Sequence, residues 1–319
     1  MDAQLLGYFL KVSETGSISR AARELHLSQP ALSRHMAALE HGLGASVFVR
    51  TGGGVTLTEA GRLLASRAQP LLRQWDILRE QVGATAAGHL SLGISPSWHD
   101  AVTADFVQQL MAAHPEVQLR VHEGPSHVLR DSMAAGLLDL AVIPFAAAAV
   151  KGYAQSPLLR EPAVLVGPAS AGLRREAPVS IDRLAGLPLV LPSRPNALRA
   201  QVEQALERRG QTFRLAAEVD TVALCLSMAR RGVAHTVVPS LAVWGDAARE
   251  GLGWAPVNGL QMNWMLCENQ ARQTAPAVSR ARALFMEIAM SRWPAARPGK
   301  VTLPLSLGPP AAPPDRLSA

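Results

Sequence analysis

The fold of the N-terminal part is decided by residues 17–57, which contain Ser17-Ile-Ser-Arg-Ala-Ala-Arg-Glu-Leu-His-Leu-Ser28-Gln-Pro-Ala-Leu-Ser-Arg34-His-Met-Ala-Ala-Leu39-Glu and later Val47-Phe-Val-Arg50-Thr-Gly-Gly-Gly-Val55-Thr-Leu57. Ser17 and Ser28 are good N-caps, and Pro30 is tolerated in a first helical turn, so the first half predicts two short helices joined by a tight turn. The second half predicts a hairpin with strands over 47–50 and 55–58. The pattern is typical of a winged helix-turn-helix, which places one helix in the DNA major groove.

The second helix of this motif, predicted over Ser28 to Glu40, has an apolar side and a polar side. Leu32, Met36 and Leu39 recur at helical spacing and are expected to face inward. The other side carries small and polar residues with one arginine, which can pair with guanine, whereas glutamine can pair with adenine. With flanking arginines and the wing, the residues expected to contact DNA are Arg20, Arg23, Ser28, Gln29, Pro30, Ala31, Ser33, Arg34, Arg50 and Thr51.

Some of these residues also fit a simpler interpretation. Arg20 and Arg23 fit phosphate contact and an ordinary solvated helix face equally well. Arg50 and Thr51, at the base of the wing, are better suited to contact the DNA backbone than to read bases, because phosphates take most protein–DNA hydrogen bonds.

Composition limits the class of protein. The chain has 319 residues, 48% of them hydrophobic and 18% charged, which predicts two or three soluble domains. The net charge of +6 fits a nucleic-acid partner without proving one. Cys225 and Cys267 stand far apart, so they predict neither a disulfide framework nor a metal motif. Because the start lacks the form of a signal peptide and no apolar run is long enough to span a bilayer, we expect a cytoplasmic protein without a membrane partner.

A long helix is predicted to begin at Glu59. Its apolar residues step by four and three positions, which is the spacing of a helix that pairs with another helix. Pro70 lies inside this series and is expected to kink the helix or remove one hydrogen bond. The residues expected to form the dimer interface are Leu64, Leu71, Trp75, Leu78 and Val82. The predicted order is therefore a DNA-binding domain over 1–58 and a linker over 59–88, with a small-residue hinge at its end.

Strands and helices alternate from His89 onward, which predicts an α/β domain over 89–293 with helices on both faces of a parallel sheet. The predicted strands are 90–94, 117–121, 139–143, 163–166, 189–191 and 235–238. We expect two subdomains, the first over about 89–163 and 267–293 and the second over about 164–266, with the chain crossing near Pro162 to Gly167 and returning near Met265. The proline-rich tail over 294–319 is predicted to be disordered.

Polar residues follow several of these strands and open helices. In open α/β sheets, ligands bind beyond the carboxyl ends of strands, where helix starts offer free N–H groups. The candidate effector residues are Ser95, Pro96, Ser97, Ser126, Pro144, Ser193, Arg194, Asn196 and Thr221. Hydroxyl groups and one guanidinium would suit a small anionic ligand. The alternative is that each residue is a helix cap and nothing more.

The sequence shows none of the usual signatures of catalysis. Its histidines lack metal-ligand spacing, and it contains neither a P-loop, nor a dinucleotide glycine fingerprint, nor a Ser-His-Asp arrangement in an elbow context. We therefore expect no metal, no cofactor and no enzymatic activity.

Four segments resemble the LysR-type transcriptional regulators: Ser17–Arg50, Leu57–Gly61, Gly136–Val142 and Val238-Pro239. The resemblance extends over about residues 4–293, and Leu191–Arg199 is similar to the branch that includes nitrogen-assimilation-control regulators. It implies an effector domain of the type II periplasmic-binding-protein kind, with a small ligand that changes DNA bending. It also implies a homodimer or homotetramer, with promoter DNA and RNA polymerase as further partners.

Two other functions share the predicted C-terminal architecture. A solute-binding protein is disfavoured by the helix-turn-helix pattern and by the missing export signal. An α/β enzyme is disfavoured by the missing catalytic constellation, although fold alone does not exclude one. The sequence therefore favours a ligand-responsive transcription factor.

Overall fold

The computed structural model describes residues 2–82, 88–146, 148–243, 245 and 250–292. These residues form two compact units: those up to Val82 belong to the first, and nearly all of those from Gly88 onward belong to the second. The predicted hinge, except for Gly88, lies outside the described residues, as does the predicted disordered tail. No helix in the described ranges is both long and apolar enough to cross a membrane.

Three helices form the core of the first unit: α1 (Ala3–Thr15), α2 (Ile18–Glu24) and α3 (Gln29–Leu43). The Ser17 side chain accepts a hydrogen bond from the backbone N–H of Arg20, and Ser28 accepts one from Ala31. These bonds satisfy N–H groups that a helix start leaves unpaired. Helix α3 ends three residues later than predicted, because Gly44 adopts a left-handed conformation (φ +65°) that closes its last turn.

A two-stranded wing follows α3, made of β1 (Phe48–Thr51) and β2 (Gly54–Leu57), which pair antiparallel. Glu40, near the end of α3, holds the start of the wing. One of its carboxylate oxygens accepts the N–H of Val47 at 2.7 Å and that of Phe48 at 3.2 Å. The wing is therefore anchored to the helix that precedes it.

The linker helix α4 (Glu59–Val82) runs for 24 residues and continues through Pro70. Thr58 caps its start, since the Thr58 hydroxyl accepts the N–H of Gly61 at 2.9 Å. Its first turns pack against α1, with Ala68 fully buried and Leu64 half-buried against the core of the first unit.

The second unit alternates strands and helices, as predicted. Its strands are β3 (His89–Ile94), β4 (Gln118–Glu123), β5 (Leu140–Pro144), β6 (Tyr153–Pro168), β7 (Pro188–Leu191), β8 (Arg214–Glu218), β9 (His235–Pro239) and β10 (Leu252–Asn269). Its helices are α5 (Ala104–Ala113), α6 (Ser126–Ala134), α7 (Asp182–Ala185), α8 (Ala197–Glu207), α9 (Val222–Arg230) and α10 (Pro276–Arg292). Short helical turns follow β3, over 96–103, and β9, over Ser240–Val243. The sequence did not predict β8, β10, α7 or α10, and it predicted only four residues of β6.

The eight strands in the described part of this unit join in the order β4-β3-β5-β10-β6-β9-β7-β8. Strand β3 runs parallel to β4 and β5, and β7 runs parallel to β8 and β9, so the sheet contains two parallel blocks. Between the blocks lie β6 and β10, which are antiparallel to each other and to their outer neighbours. Each of these two long strands belongs partly to each block, so together they form the connection between two subdomains.

The chain crosses between the two blocks twice, once within β6 and once within β10. Strand β6 begins to pair with β9 at Ala163, directly after Pro162. Strand β10 passes back between Pro256 and Gln261, where its register with β6 shifts. The predicted return near Met265 is wrong, because Met265 already pairs with β5 in the first block. A strand buried on both faces shows a nearly continuous apolar run, so its pattern does not mark the crossing.

A buried ion pair in the first block joins Asp139, directly before β5, to Arg272, shortly after β10. Asp139 is fully buried and Arg272 is 2% exposed, and the Arg272 Nε lies 3.1 Å from the Asp139 Oδ1. The carboxylate also accepts the N–H of Ser91 at 2.8 Å, and Arg272 donates to the carbonyl of His89 at 2.9 Å. Each charge is thus neutralised and hydrogen-bonded, which a buried charge requires.

Candidate functional site

The exposed face of α3 carries polar side chains at its start. Gln29 and Arg34 are exposed, and Ser33 is half-buried between them. The Gln29 amide nitrogen donates to the Ser33 hydroxyl at 2.9 Å. Ser28 and Pro30 are exposed at the first turn, and the small side chain of Ala31 is half-buried. The opposite face buries leucine and methionine side chains in the core, so the helix is amphipathic as predicted.

Arginine side chains surround this face. Arg20 and Arg23 lie on α2, Arg34 on α3 and Arg50 on the wing, and all four are exposed. Within residues 2–82, none of the four forms an ion pair with an acidic side chain, so their charges are available to phosphates. Thr51, next to Arg50, is exposed, and its hydroxyl donates to the carbonyl of the wing residue Gly54 at 3.3 Å.

The wing tip is held close to the turn between α1 and α2. The N–H of Val55 donates to the carbonyl of Gly16 at 2.9 Å. Gly54 has φ +143°, and a Cβ atom added there would lie 2.3 Å from the same Gly16 oxygen. Only glycine fits this position, whereas a Cβ on Gly53 would meet no atom within 4 Å.

The linker helix presents an apolar stripe after its first turns. Leu71, Trp75 and Leu78 are 54%, 50% and 49% exposed. Leu64, predicted for the same dimer interface, packs against the core of its own chain instead. The side chain of Val82 lies outside the described part. Only the later part of the predicted interface, Leu71 to Leu78, is therefore exposed, because the first turns of α4 pack within the chain.

A cavity lies between the two blocks of the second unit and encloses about 660 Å³, including space at its open mouth. Residues from the carboxyl ends of β3, β5, β7 and β9 line it, as the general rule for open α/β sheets predicts. Six of the nine predicted effector residues are in its wall: Ser95, Pro96, Ser97, Ser126, Pro144 and Asn196.

Helix starts and hydroxyls supply the polar part of this wall. Ser97 is 3% exposed, and its hydroxyl lies 3.3 Å from that of Ser95. Ser126 is the first residue of α6. The Asn196 side-chain oxygen caps α8 by accepting the N–H groups of Leu198 and Arg199. Asn196 therefore acts as a helix cap and as a wall residue at once.

Three of the predicted residues do not line the cavity. The prediction for Arg194 is wrong: its side chain is 71% exposed and lies 2.8 Å from the Glu203 carboxylate on α8. Ser193 donates its backbone N–H to Asp220 at 2.8 Å, and Thr221 precedes α9 without a side-chain cap bond. The carboxylate of Glu203, outside the cavity, pairs with the guanidinium of Arg194, which was expected to bind an anionic ligand.

The charge of the wall differs from the expectation. Asp220 is the one charged side chain among the described residues that line the cavity, and the N–H of Ser193 holds the pKa of its carboxyl below the usual range. Arg199 lies behind the wall, 5% exposed, bonded to the carboxylates of Glu203 and Glu218. The expectation of an anionic ligand depended on a positive charge in the wall, and the described lining residues supply none.

The sequence missed most of the apolar wall. Trp264 and Met262 reach it from β10, Val237 and Val238 from β9, and Cys225 from α9. Of these, Val237 and Val238 lay in a predicted strand, and Val238 was also part of a family motif, but neither was predicted to line the cavity. Trp264 had no signal in the sequence, because β10 itself was not predicted.

Both cysteines are free and buried. Burial raises the pKa of the Cys225 thiol, which donates to the carbonyl of Val219, and raises that of Cys267 to about 11. Thiols with raised pKa values are poor nucleophiles. In the described ranges, no group of three or more His, Cys, Asp or Glu residues is arranged to hold a metal ion.

Comparison with known families agrees with this architecture. Residues 3–62 match the bacterial regulatory helix-turn-helix proteins of the lysR family, and residues 83–289 match the LysR substrate binding domain. The chain belongs to the LysR family. This LysR regulator is similar to the nitrogen assimilation regulatory protein Nac of Klebsiella aerogenes, with 33% identity over 95% of this chain and 94% of Nac. It is also similar to OxyR of Escherichia coli K12, with 28% identity over 80% of this chain and 85% of OxyR.

Solved structures show the same fold. The CbnR regulator, in a complex with its target DNA, superposes with a TM-score of 0.68 at 20% identity, covering 90% of this chain and all of CbnR. A full-length OxyR variant from Pseudomonas aeruginosa gives 0.66 at 24% identity, covering 91% of this chain and 95% of that one. The protein is thus a LysR-type DNA-binding transcriptional regulator with an effector-binding domain, and it is not an enzyme.

Proposed function

We propose that this LysR regulator reads promoter DNA with the exposed start of α3. The observation that carries the proposal is the polar face formed by Gln29, Ser33 and Arg34. Three further exposed arginines surround it, and none of them forms an ion pair among the described residues of this unit. Arg34 and Gln29 have the side chains that pair with guanine and adenine edges. Arg20, Arg23 and Arg50 then neutralise phosphates and set the position of the helix on the duplex.

A gel-shift series with the DNA upstream of the protein's own coding sequence tests this assignment. If Arg34 reads a base, Arg34→Ala weakens specific binding by about 1–3 kcal/mol and relaxes preference at one position. If it contacts only phosphate, binding weakens evenly on all sequences and the salt slope falls by about one. Arg208→Ala, on the exposed surface of the second unit, is the matched control. Unchanged affinity of the Arg34 variant on every sequence would refute both roles.

The second part of the proposal is that a second copy of the chain covers the apolar stripe of α4. Leu71, Trp75 and Leu78 are each about half exposed on one side of the helix, and burial of such a side chain contributes roughly 1.5–3 kcal/mol. A paired helix would also place two recognition helices for two half-sites. The choice between a homodimer and a homotetramer stays a prediction, as do contact with RNA polymerase and a cytoplasmic location.

Sedimentation tests the stripe. Leu71→Asp combined with Leu78→Asp should produce monomers at micromolar concentration, which bind half-sites poorly. Gln69→Asp, at an exposed position on the opposite side of the helix, should leave assembly unchanged. A doubly substituted protein that remains fully dimeric would rule out this interface.

The third part is that a small effector occupies the cavity between the subdomains and shifts the protein between two DNA-bending states. The wall offers the hydroxyls of Ser95 and Ser97, helix starts and apolar side chains, with the carboxylate of Asp220 as its charged group. This chemistry suits a neutral or positively charged molecule better than an anion. A ligand has such an effect only if it binds one state more tightly than the other.

A thermal-shift screen that includes neutral, amine and carboxylate metabolites tests this part. A compound that raises the melting temperature of the wild type should raise that of Ser97→Ala less, and that of Ser66→Ala, on exposed α4, equally. An identical response of Ser97→Ala to a compound that alters DNA binding would place the effector elsewhere.

A further inference from the structure

Glu161 is a buried carboxylate at the point where the chain crosses between the subdomains. It is fully buried on β6, opposite Met262 of β10, and the crossing at Pro162 follows it directly. Among the described residues it has hydrogen-bond donors around it but no cationic partner. An unpaired buried carboxylate is costly, whereas an apolar side chain would fill the same space without that cost.

The donors to Glu161 come from both subdomains. The hydroxyl of Ser240 donates at 2.6 Å and the N–H of Leu241 at 2.8 Å, and both residues follow β9 in the second block. The indole N–H of Trp264 donates to the other carboxylate oxygen, and Trp264 pairs with β5 in the first block. One carboxylate therefore bonds to both subdomains at their connection.

Trp264 connects this carboxylate to the cavity. Its side chain forms part of the cavity wall, and its ring meets that of Trp98 edge-on at 5.5 Å. Trp98 directly follows the wall residue Ser97. The indole is thus held by its N–H at Glu161 and by its ring at Trp98.

We propose that Glu161 is the positioning residue that fixes Trp264 in the cavity wall and joins that wall to Ser240–Val243 in the other subdomain. A ligand that displaces the indole must then change the bonds to Ser240 and Leu241, and subdomain movement must in turn change the wall. The biological use of this connection rests on the proposed effector function. The connection itself is a property of the chain without a ligand, so the two can fail separately.

Amide hydrogen exchange of the full-length protein tests the connection. Trp264→Phe keeps an aromatic wall but removes the N–H that donates to Glu161. We expect the Leu241 amide to exchange about tenfold faster in this variant and in Glu161→Gln, because a hydrogen bond is weakened. Trp254→Phe, on the far part of β10, is the matched control for loss of an indole. The double variant should exchange no faster than Glu161→Gln alone. Additive effects, or unchanged exchange at Leu241 in Trp264→Phe, would overturn the proposal.

A second measurement separates positioning from general destabilisation. Burial raises the pKa of Glu161 to about 7. Ionisable side chains on neighbouring elements, Arg160 on β6 and His99 and Asp100 after β3, are exposed. In ¹⁵N-tryptophan spectra, the Trp264 indole resonance should titrate near neutral pH in the wild type and not in Glu161→Gln, while the Trp254 resonance is unaffected. A Trp264 resonance with the same pH dependence in both proteins would contradict the contact.

Discussion

The DNA-binding face and the effector cavity are both built around helix starts, but they use very different amounts of chain. The face of α3 and its wing come from one continuous segment, from Ser28, which caps the helix, to Leu57. The cavity wall includes residues from Ser95 to Trp264, brought together by strand pairing in two subdomains. We therefore expect a substitution on the first surface to act mainly within its own segment, whereas a substitution in the second can also affect strands from both subdomains.

The two regions also differ in their use of charge. The arginines around α3 are exposed and, within the described residues 2–82, none of them forms an ion pair, so their charge is available to an external polyanion. Near the cavity, Arg194 and Arg199 are bonded to Glu203, and Arg199 also to Glu218. The same residue type is thus proposed to bind DNA in one region and forms internal ion pairs in the other, and the position of nearby carboxylates makes the difference.

The largest expected effect tests whether charge in the second unit is structural. Asp139→Ala removes the carboxylate that neutralises the buried Arg272, which should cost about 3–5 kcal/mol in the free energy of unfolding. Arg280→Ala breaks the exposed pair with Glu116 and should cost no more than about 1 kcal/mol. Denaturant unfolding of both variants measures the difference. Equally small losses of unfolding free energy in the two variants would contradict a structural role for the buried pair.

The next effect concerns Glu161, the buried carboxylate that has no cationic partner in the part of the chain that the structure describes. Because the folded pKa of Glu161, about 7, lies above its ordinary value of 4.5, the folded state binds the proton more tightly. Wild-type stability should therefore fall as pH rises through this window, by up to about 3 kcal/mol, and level off above it. Glu161→Gln cannot titrate, so its stability relative to wild type should rise with pH. Parallel pH profiles of the two proteins would show that Glu161 is not the group responsible.

A smaller effect tests how local the DNA-binding unit is. Gly54→Ala places a Cβ against the Gly16 carbonyl at a φ that suits glycine, and should cost about 1–3 kcal/mol and weaken DNA binding. Gly53→Ala, with open space around its Cβ, should change stability little. Thermal unfolding and gel shifts of the pair give both values. If the two variants behave alike, the wing is not held at Gly54.

The smallest effect compares the two helix starts directly. Ser28→Ala and Asn196→Ala each remove one cap, at a cost of about 0.5–2 kcal/mol. Beyond this shared cost, the first should weaken DNA binding and leave ligand-induced thermal shifts unchanged, and the second should do the reverse. Loss of both activities in either variant would mean that the two regions are not separable.

The sequence by itself determined the features that depend on a few neighbouring residues. Ser28, the buried leucines of α3 and the glycines of the wing lie close together in the chain, so caps and periodicity were sufficient to predict them. The parallel strands β3, β5, β7 and β9 were equally clear, because turn residues bound each apolar run. For the same reason, Ser95, Ser97 and Asn196, at the ends of such strands, could be grouped as candidates, and the structure brings them to one cavity wall. Their role in effector binding stays a prediction.

Only the tertiary structure decided where the longer-range partners lie. In the folded chain, Arg194 pairs with Glu203, and β10 places Trp264 in the cavity wall. Leu64 packs on the core, so it is not available to the interface predicted along α4. The tertiary structure also placed Glu161 between donors that lie about 80 and 103 residues further along the chain. Local propensity acts over one or two helical turns, whereas strand register and the position of a carboxylate are set by burial of the whole domain. The DNA-binding face depends on the first kind of information, and the cavity depends on the second.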